Sequence, residues 1–204
     1  MPAEIPATRP INLEELEAEI RACRLCEADL PLGPRPVLIA RREARLLIAA
    51  QAPGHRVHET GLPFNDPSGD RLRDWLGIDR ETFYHHPAIA IVPMGFCFPG
   101  TGRGGDLPPR PECAPTWRRP LLEAMPRVET TVVIGRYALG WHLGLKGGQR
   151  VTDLVGDWRR LAPAHFPLPH PSPRNNRWLL KNPWFEAEVV PALRERVAGL
   201  LAAG

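Results

Sequence analysis

Four short apolar runs recur along the chain with helix-like segments between them: residues 45 to 50, Ala88-Ile89-Ala90-Ile91-Val92, Thr130-Thr131-Val132-Val133-Ile134, and residues 164 to 168. Strands that alternate with helices imply an α/β fold: a parallel sheet with right-handed crossovers and helices on both faces. In such a sheet the loops that follow strands gather along one edge, where ligands bind. Residues more than a hundred positions apart in this chain can then meet in one cleft.

The intervening segments carry their own signals. Leu13, Leu16, Ile20 and Cys23 recur at three- and four-residue spacing behind a capping Asn12, which predicts a helix over 12–28. Asp66-Pro67-Ser68 marks a second helix start, with Leu72, Trp75 and Leu76 turned inward and Gly77 as the stop. Further helices are expected at 112–125 and, after Gly135 closes the third strand, from Tyr137 to Leu143. The last helix is expected from Asn182-Pro183 to Ala202, kinked by Pro191, with an apolar face of Val189, Val190, Leu193, Val197, Leu200 and Leu201. The connection from Pro93 to Pro111 is too long for an ordinary connector, and loops of that length are usually functional.

Length and composition place bounds on function. A chain of 204 residues with 43% hydrophobic content suits one domain with a substantial core, ordered over about 12–202. No apolar run approaches a membrane span, and Met1 to Pro10 lack the apolar stretch of a secretory signal, so a cytoplasmic protein is expected. The net charge of +3 is compatible with nucleic acid without demonstrating it. Lys146 and Lys181 are the only lysines. The other cations are arginines, which suit phosphate contact, although an arginine-rich overall composition is the better explanation of the bias.

All four cysteines fall into a pattern: Cys23-x-x-Cys26, then Cys97 and Cys113 on either side of a proline- and glycine-rich loop. Thiolates at such positions can hold an iron–sulfur cluster or a structural zinc, and either site uses four cysteines with none to spare. Four unrelated buried thiols would give the same letters. A disulfide is disfavoured in a cytosolic protein.

Two loops carry the remaining chemistry. One runs from Gln51-Ala52-Pro53-Gly54 to Gly61-Leu62-Pro63-Phe64, directly after the first apolar run; the other is His170-Pro171-Ser172-Pro173-Arg174, directly after the fourth. This ordered pair resembles the uracil-DNA glycosylase superfamily, whose members carry a Gly-Gln-Asp-Pro-Tyr-type or Gly-Glu-Ala-Pro-Gly-type first motif, a Gly-x-Pro-Phe, and a His-Pro-Ser-type last motif. The cysteine spacing, with the second pair bracketing a loop that begins Cys97-Phe98-Pro99-Gly100-Thr101-Gly102-Arg103, is most similar to the iron–sulfur (family-4) class. The resemblance covers residues 12 to 202. It implies a three-layer α/β/α domain on a four-stranded parallel sheet, a monomer acting on DNA, and a [4Fe-4S] cluster on Cys23, Cys26, Cys97 and Cys113, with structural zinc as the competitor.

For the site, the resemblance implies base flipping and hydrolysis of an N-glycosidic bond in uracil-containing or damaged DNA. Phe64 would be the platform on which the everted base stacks, beside Ala52 and Gly54. His170 would donate a hydrogen bond to the base as negative charge develops on it. Ser172, Pro173, Ser68 and Arg103 would meet the DNA backbone, and Arg174 stands where relatives carry the residue that fills the gap left by the base. Each has a plainer reading as well: a core phenylalanine, a loop-capping histidine, solvated polar groups. The chain also departs from the pattern. The usual catalytic acid is replaced at Gln51-Ala52, and the asparagine that reads the uracil edge aligns with Pro93. Asn65 is a possible substitute for the asparagine, and His55, His58 and Glu59 are candidates for activating water. The alternative expectation is a catalytically weak or inactive protein of this fold that binds damaged or single-stranded DNA.

Overall fold

A computed structural model describes residues 12–202, so the reading of Met1 to Pro10 lies outside the described residues. Asn12 caps helix α1 (Leu13–Ala22), its side chain accepting from the amides of Glu14 at 2.9 Å and of Glu15. The helix stops sooner than its periodicity suggests, because Cys23 turns to an extended conformation (ψ 134°). Cys23 and Cys26 therefore sit beyond the helix, just before a 3-10 turn at Glu27–Asp29.

The chain then forms β1 (Leu46–Ala49), α2 (His55–Thr60), α3 (Pro67–Leu76), α4 (Arg80–His85) and β2 (Ile89–Ile91). A small antiparallel hairpin, β3 (Thr101–Gly102) and β4 (Gly105–Asp106), interrupts the long connection that follows. After it come α5 (Cys113–Ala124), β5 (Thr130–Ile134), α6 (Gly135–Leu143), α7 (Val151–Gly156), α8 (Trp158–Leu161), β6 (His165–Leu168), α9 (Asn176–Lys181) and α10 (Val190–Ala202). Gly135 opens α6 rather than closing the third strand. The last helix begins later than Asn182-Pro183: Asn182 ends α9, and residues Phe185–Val189 form a π turn. Pro191 explains that turn. It has no amide proton for the carbonyl of Ala187, and the wider turn relieves the clash its ring would cause. No helix among the described residues is long and apolar enough to cross a membrane.

The sheet has the order β2-β1-β5-β6, with every neighbouring pair parallel. Side chains alternate across it. Leu46 and Ile48 join Ile89, Ile91, Val132, Ile134, Phe166 and Leu168 in a core covered by α3, α4 and α10. Leu47, Ala90 and Val92 face the other way, onto α1 and α5, while Ala49 and Val133 meet α6. The architecture is a three-layer α/β/α sandwich on a four-stranded parallel sheet. Each fully buried Leu, Ile or Phe in these layers contributes about 1.5–3 kcal/mol, so double-sided burial is what holds strands only three to five residues long.

One buried cation ties the end of β2 to the helices behind it. Arg118 on α5 is 1% exposed; its Nη1 donates to the carbonyls of Val92 (2.9 Å) and Pro93 (3.1 Å), and its Nε donates to Nε2 of His142 (2.9 Å). Burial lowers the Arg118 guanidinium to about 10, which leaves it charged at neutral pH. His142 must then be the neutral acceptor, and burial, with Arg118 and His165 beside it, pushes its imidazole down to about 3.

This arrangement has a pH consequence. The unfolded chain takes up a proton on His142 below its ordinary value of about 6.5, whereas the folded chain resists until about 3. The stabilisation is complete above 6.5 and is lost progressively as pH falls through that window. Denaturant unfolding at pH 5 should show the wild type losing about 2 kcal/mol more than His142→Gln between pH 7 and pH 5, since each tenfold difference in proton affinity is worth ~1.4 kcal/mol. Parallel pH profiles for the two proteins would contradict the assignment.

Candidate active site at the strand exits

The carboxyl ends of the four strands open onto a cleft of about 460 Å³. The loop after β1 supplies Gln51, Ala52 and Gly54, and the turn beyond α2 supplies Pro63 and Phe64. Pro93 enters from the end of β2, Gly104 and Asp106 from the hairpin, and His170, Ser172 and Arg174 from the loop after β6. Phe64 and His170, separated by more than a hundred residues, thus line the same cavity.

Phe64 is held in a conformation a bulky residue rarely adopts, with φ at +55°. Its neighbours over-determine it. The Tyr84 hydroxyl donates to the Pro63 carbonyl at 2.8 Å, and buried Arg73 donates to the carbonyl of Phe64 itself. The ring packs edge-on against Phe83 at 6.1 Å between centroids. The first turn of α3 also presses on this loop: a Cβ at Gly69 would lie 1.8 Å from the Phe64 carbonyl oxygen, so only glycine fits there. Asp66 caps the same turn, accepting from the Gly69 amide at 2.9 Å. Ser68, buried beside it, also lines the cleft.

His170 is oriented from within its own loop. Its Nδ1 accepts from the Ser172 amide at 3.2 Å, and its carbonyl accepts from the Asn175 side chain at 2.7 Å. An Nδ1 that accepts leaves the proton on Nε2. Burial holds the imidazole below its ordinary value, with the charges of Asp66 and Asp106 opposing. The cleft therefore receives a neutral ring with one N–H to donate. Gly135, at the exit of β5, lies directly behind it: a Cβ there would be 3.8 Å from His170 Cδ2.

The other predicted site residues divide. Arg174 reaches across the cleft, its Nη1 donating to the Gly104 carbonyl at 2.5 Å, and its amide donates to the Ser172 hydroxyl at 3.3 Å. Arg103 is exposed at the tip of the hairpin, and Pro173 is exposed at the start of a 3-10 turn; neither is part of the cleft lining. Asn65 turns away, its Oδ1 accepting from Arg80 at 2.8 Å. His55, Glu59 and His58 sit on α2 outside the lining. His55 stands 3.6 Å from Glu59 and edge-on to Phe98, and His58 also faces Phe98, its imidazole lowered chiefly by burial. Asp66, expected only as a helix cap, and Asp106, which the sequence pattern did not single out, are the carboxylates that line the cleft among the described residues.

A second hollow gathers the cysteines. Cys23 and Cys26, past the end of α1, face Cys97 and Cys113, the last at the start of α5. All four are free thiols. Burial pushes Cys97 up to about 11 and Cys113 up to about 12, while a backbone amide donates to each sulfur, from Arg35 and from Phe96 respectively. Among the described residues no three His, Cys, Asp or Glu side chains converge on a point fit for a single ion.

The order of these elements and the loops at their exits correspond to a known family. Its model, the uracil DNA glycosylase superfamily, matches residues 37–194, from the strand-flanking segment before β1 into α10. That match takes in most of the chain, the whole sheet and every residue of the cleft, and the protein belongs to the uracil DNA glycosylase superfamily.

Proposed function

We propose that the protein is a DNA N-glycosylase that removes uracil, or another deaminated or damaged base, by everting it from the duplex into the cleft. The observation that carries this reading is the meeting of Phe64 and His170 at the strand exits. A base leaving the stack loses its neighbours and needs an aromatic face to replace them. The Phe64 ring, fixed by a left-handed backbone, offers one. The N-glycosidic bond breaks with its electron pair on the base, and the His170 Nε2–H is positioned to donate to a base oxygen as that charge grows. A neutral imidazole suits the task, since its donor strengthens toward the transition state without binding the ground state as an ion pair. Ser172 and Arg174 in the cleft lining are suited to phosphate contact.

We read the four cysteines as ligands of a [4Fe-4S] cluster, in keeping with the resemblance to the iron–sulfur class. Support comes from the donor set: four sulfurs around one hollow, two of them accepting backbone N–H bonds that offset part of the rise burial imposes on their thiols. Structural zinc on the same four sulfurs is the competing reading. When bound, the cluster would supply a cross-link between the segment after α1, the chain at Cys97 and the start of α5.

Two measurements test these readings. Release of free base from uracil-containing single-stranded or U:G DNA is expected, with His170→Ala slower by about 10²–10³-fold, the range for loss of one donor to developing charge. An unchanged rate in that variant would remove the role given to His170. A wild type inert on uracil, hypoxanthine and xanthine, yet binding DNA, would favour the reading as a non-catalytic binding protein. Purified anaerobically, the protein should be brown with visible absorbance that Cys97→Ser abolishes; a colourless protein containing zinc would overturn the cluster.

A further inference from the structure

The loop after β1 has no ionisable side chain at Gln51-Ala52-Pro53-Gly54, yet hydrolysis needs water to be deprotonated near the sugar. We infer that Asp106, carried into the cleft by the β3–β4 hairpin, is the carboxylate that activates the attacking water, supplied from across the site in place of the acid this loop lacks. The inference rests on the glycosylase reading.

The placement is specific. A Cβ at Gly54 would meet Asp106 Oδ2 at 3.1 Å, so the carboxylate lies against the backbone of the acid-less loop, and the glycine leaves it room. Its other oxygen is held within the hairpin, where the Thr101 hydroxyl donates to Oδ1 at 3.2 Å. Thr101 and Asp106 are direct cross-strand partners in the β3–β4 pair. One oxygen is thus anchored, and the other lies beside Gly54 of the cleft lining.

The hairpin is itself latched to the opposite wall. Arg174 donates to the Gly104 carbonyl, and Gly105 permits the approach: a Cβ there would fall 1.7 Å from Arg174 Nη1. The loop that bears His170 therefore also sets the position of Asp106. The two side chains act on one another electrostatically, since the Asp106 charge opposes the lowering of the His170 imidazole. Asp106 is exposed, as a group that must receive water and pass on a proton should be.

Asp66 also lines the cleft, where its Oδ1 caps α3 through the Gly69 amide, but unlike Asp106 it is not placed against the loop after β1. His55 and His58 face Phe98, and Glu59 faces His55.

The bond from C1′ of the deoxyribose to the base nitrogen breaks, and its electron pair leaves with the base. The water oxygen bonds to C1′, and the proton it loses passes to Asp106 and then to solvent. The base anion, held by the His170 N–H, takes a proton from solvent on release. The negative carboxylate also stabilises the positive charge that builds on the sugar.

The test is single-turnover base release from uracil-containing DNA by wild type and by Asp106→Asn, Asp106→Glu and Gly54→Ala. Melting temperature and affinity for DNA carrying a non-cleavable 2′-fluoro-deoxyuridine are measured alongside. Asp106→Asn is expected to slow release by about 10²-fold or more, the usual range for a general base, with melting temperature and DNA affinity unchanged. Asp106→Glu should recover part of the rate, and Gly54→Ala, which crowds Oδ2, should lose part of it. An active wild type with an equally active Asp106→Asn overturns this inference alone. A loss in Asp106→Asn matched by a loss of DNA affinity overturns it too, by reducing Asp106 to a holding role. A wild type that releases no base overturns the glycosylase reading itself.

Discussion

Parallel pairing makes every strand of the sheet leave at the same edge. With β1 hydrogen-bonded to both β2 and β5, and β5 to β6, the chain exits at Ala49, Ile91, Ile134 and Leu168 stand side by side. The cleft is assembled from those exits. Its floor is rigid for reasons visible in the packing: Arg118 holds the two carbonyls at the end of β2, and Gly135 allows α6 to begin directly behind His170. A buried guanidinium left without its acceptors would be costly, so the end of β2 is fixed by a group that never enters the cleft.

On that floor the loops are strained or latched rather than loose. A bulky residue at positive φ costs roughly 1–3 kcal/mol and persists only where its surroundings insist on it. At Phe64 those surroundings are Tyr84, Arg73, Phe83 and the first turn of α3. On the other side, the Ser172 amide sets the tautomer of His170, and Arg174 of the same loop draws the hairpin over the cleft. A nucleobase entering between these walls would meet a ring and a donor that do not have to reorganise, the condition under which electrostatic stabilisation is most effective.

Much of this was legible in the sequence where the signals are local and strong. The four apolar runs mark the strands within a residue or two, and Asp66-Pro67 with Gly77 brackets α3 at both ends, because burial and capping leave letters behind. The six-residue helices α2 and α4 left little signal, since helices that short form through tertiary packing rather than intrinsic propensity. For the same reason the direction in which His55, His58 and Glu59 point was not legible, nor was the pairing of Asn65 with Arg80, fifteen residues away. Asp106 was hidden most completely. Two-residue strands in a glycine-rich stretch show no apolar alternation, and the approach of Asp106 to Gly54 joins residues far apart in the chain.

The most direct measurement of the central claim is a crystal structure with duplex DNA containing 2′-fluoro-deoxyuridine, whose glycosidic bond resists cleavage. The account predicts the uracil everted into the cleft, its face on the Phe64 ring and a carbonyl oxygen within hydrogen-bond distance of His170 Nε2. A base still stacked in the duplex, or seated away from both side chains, would contradict it.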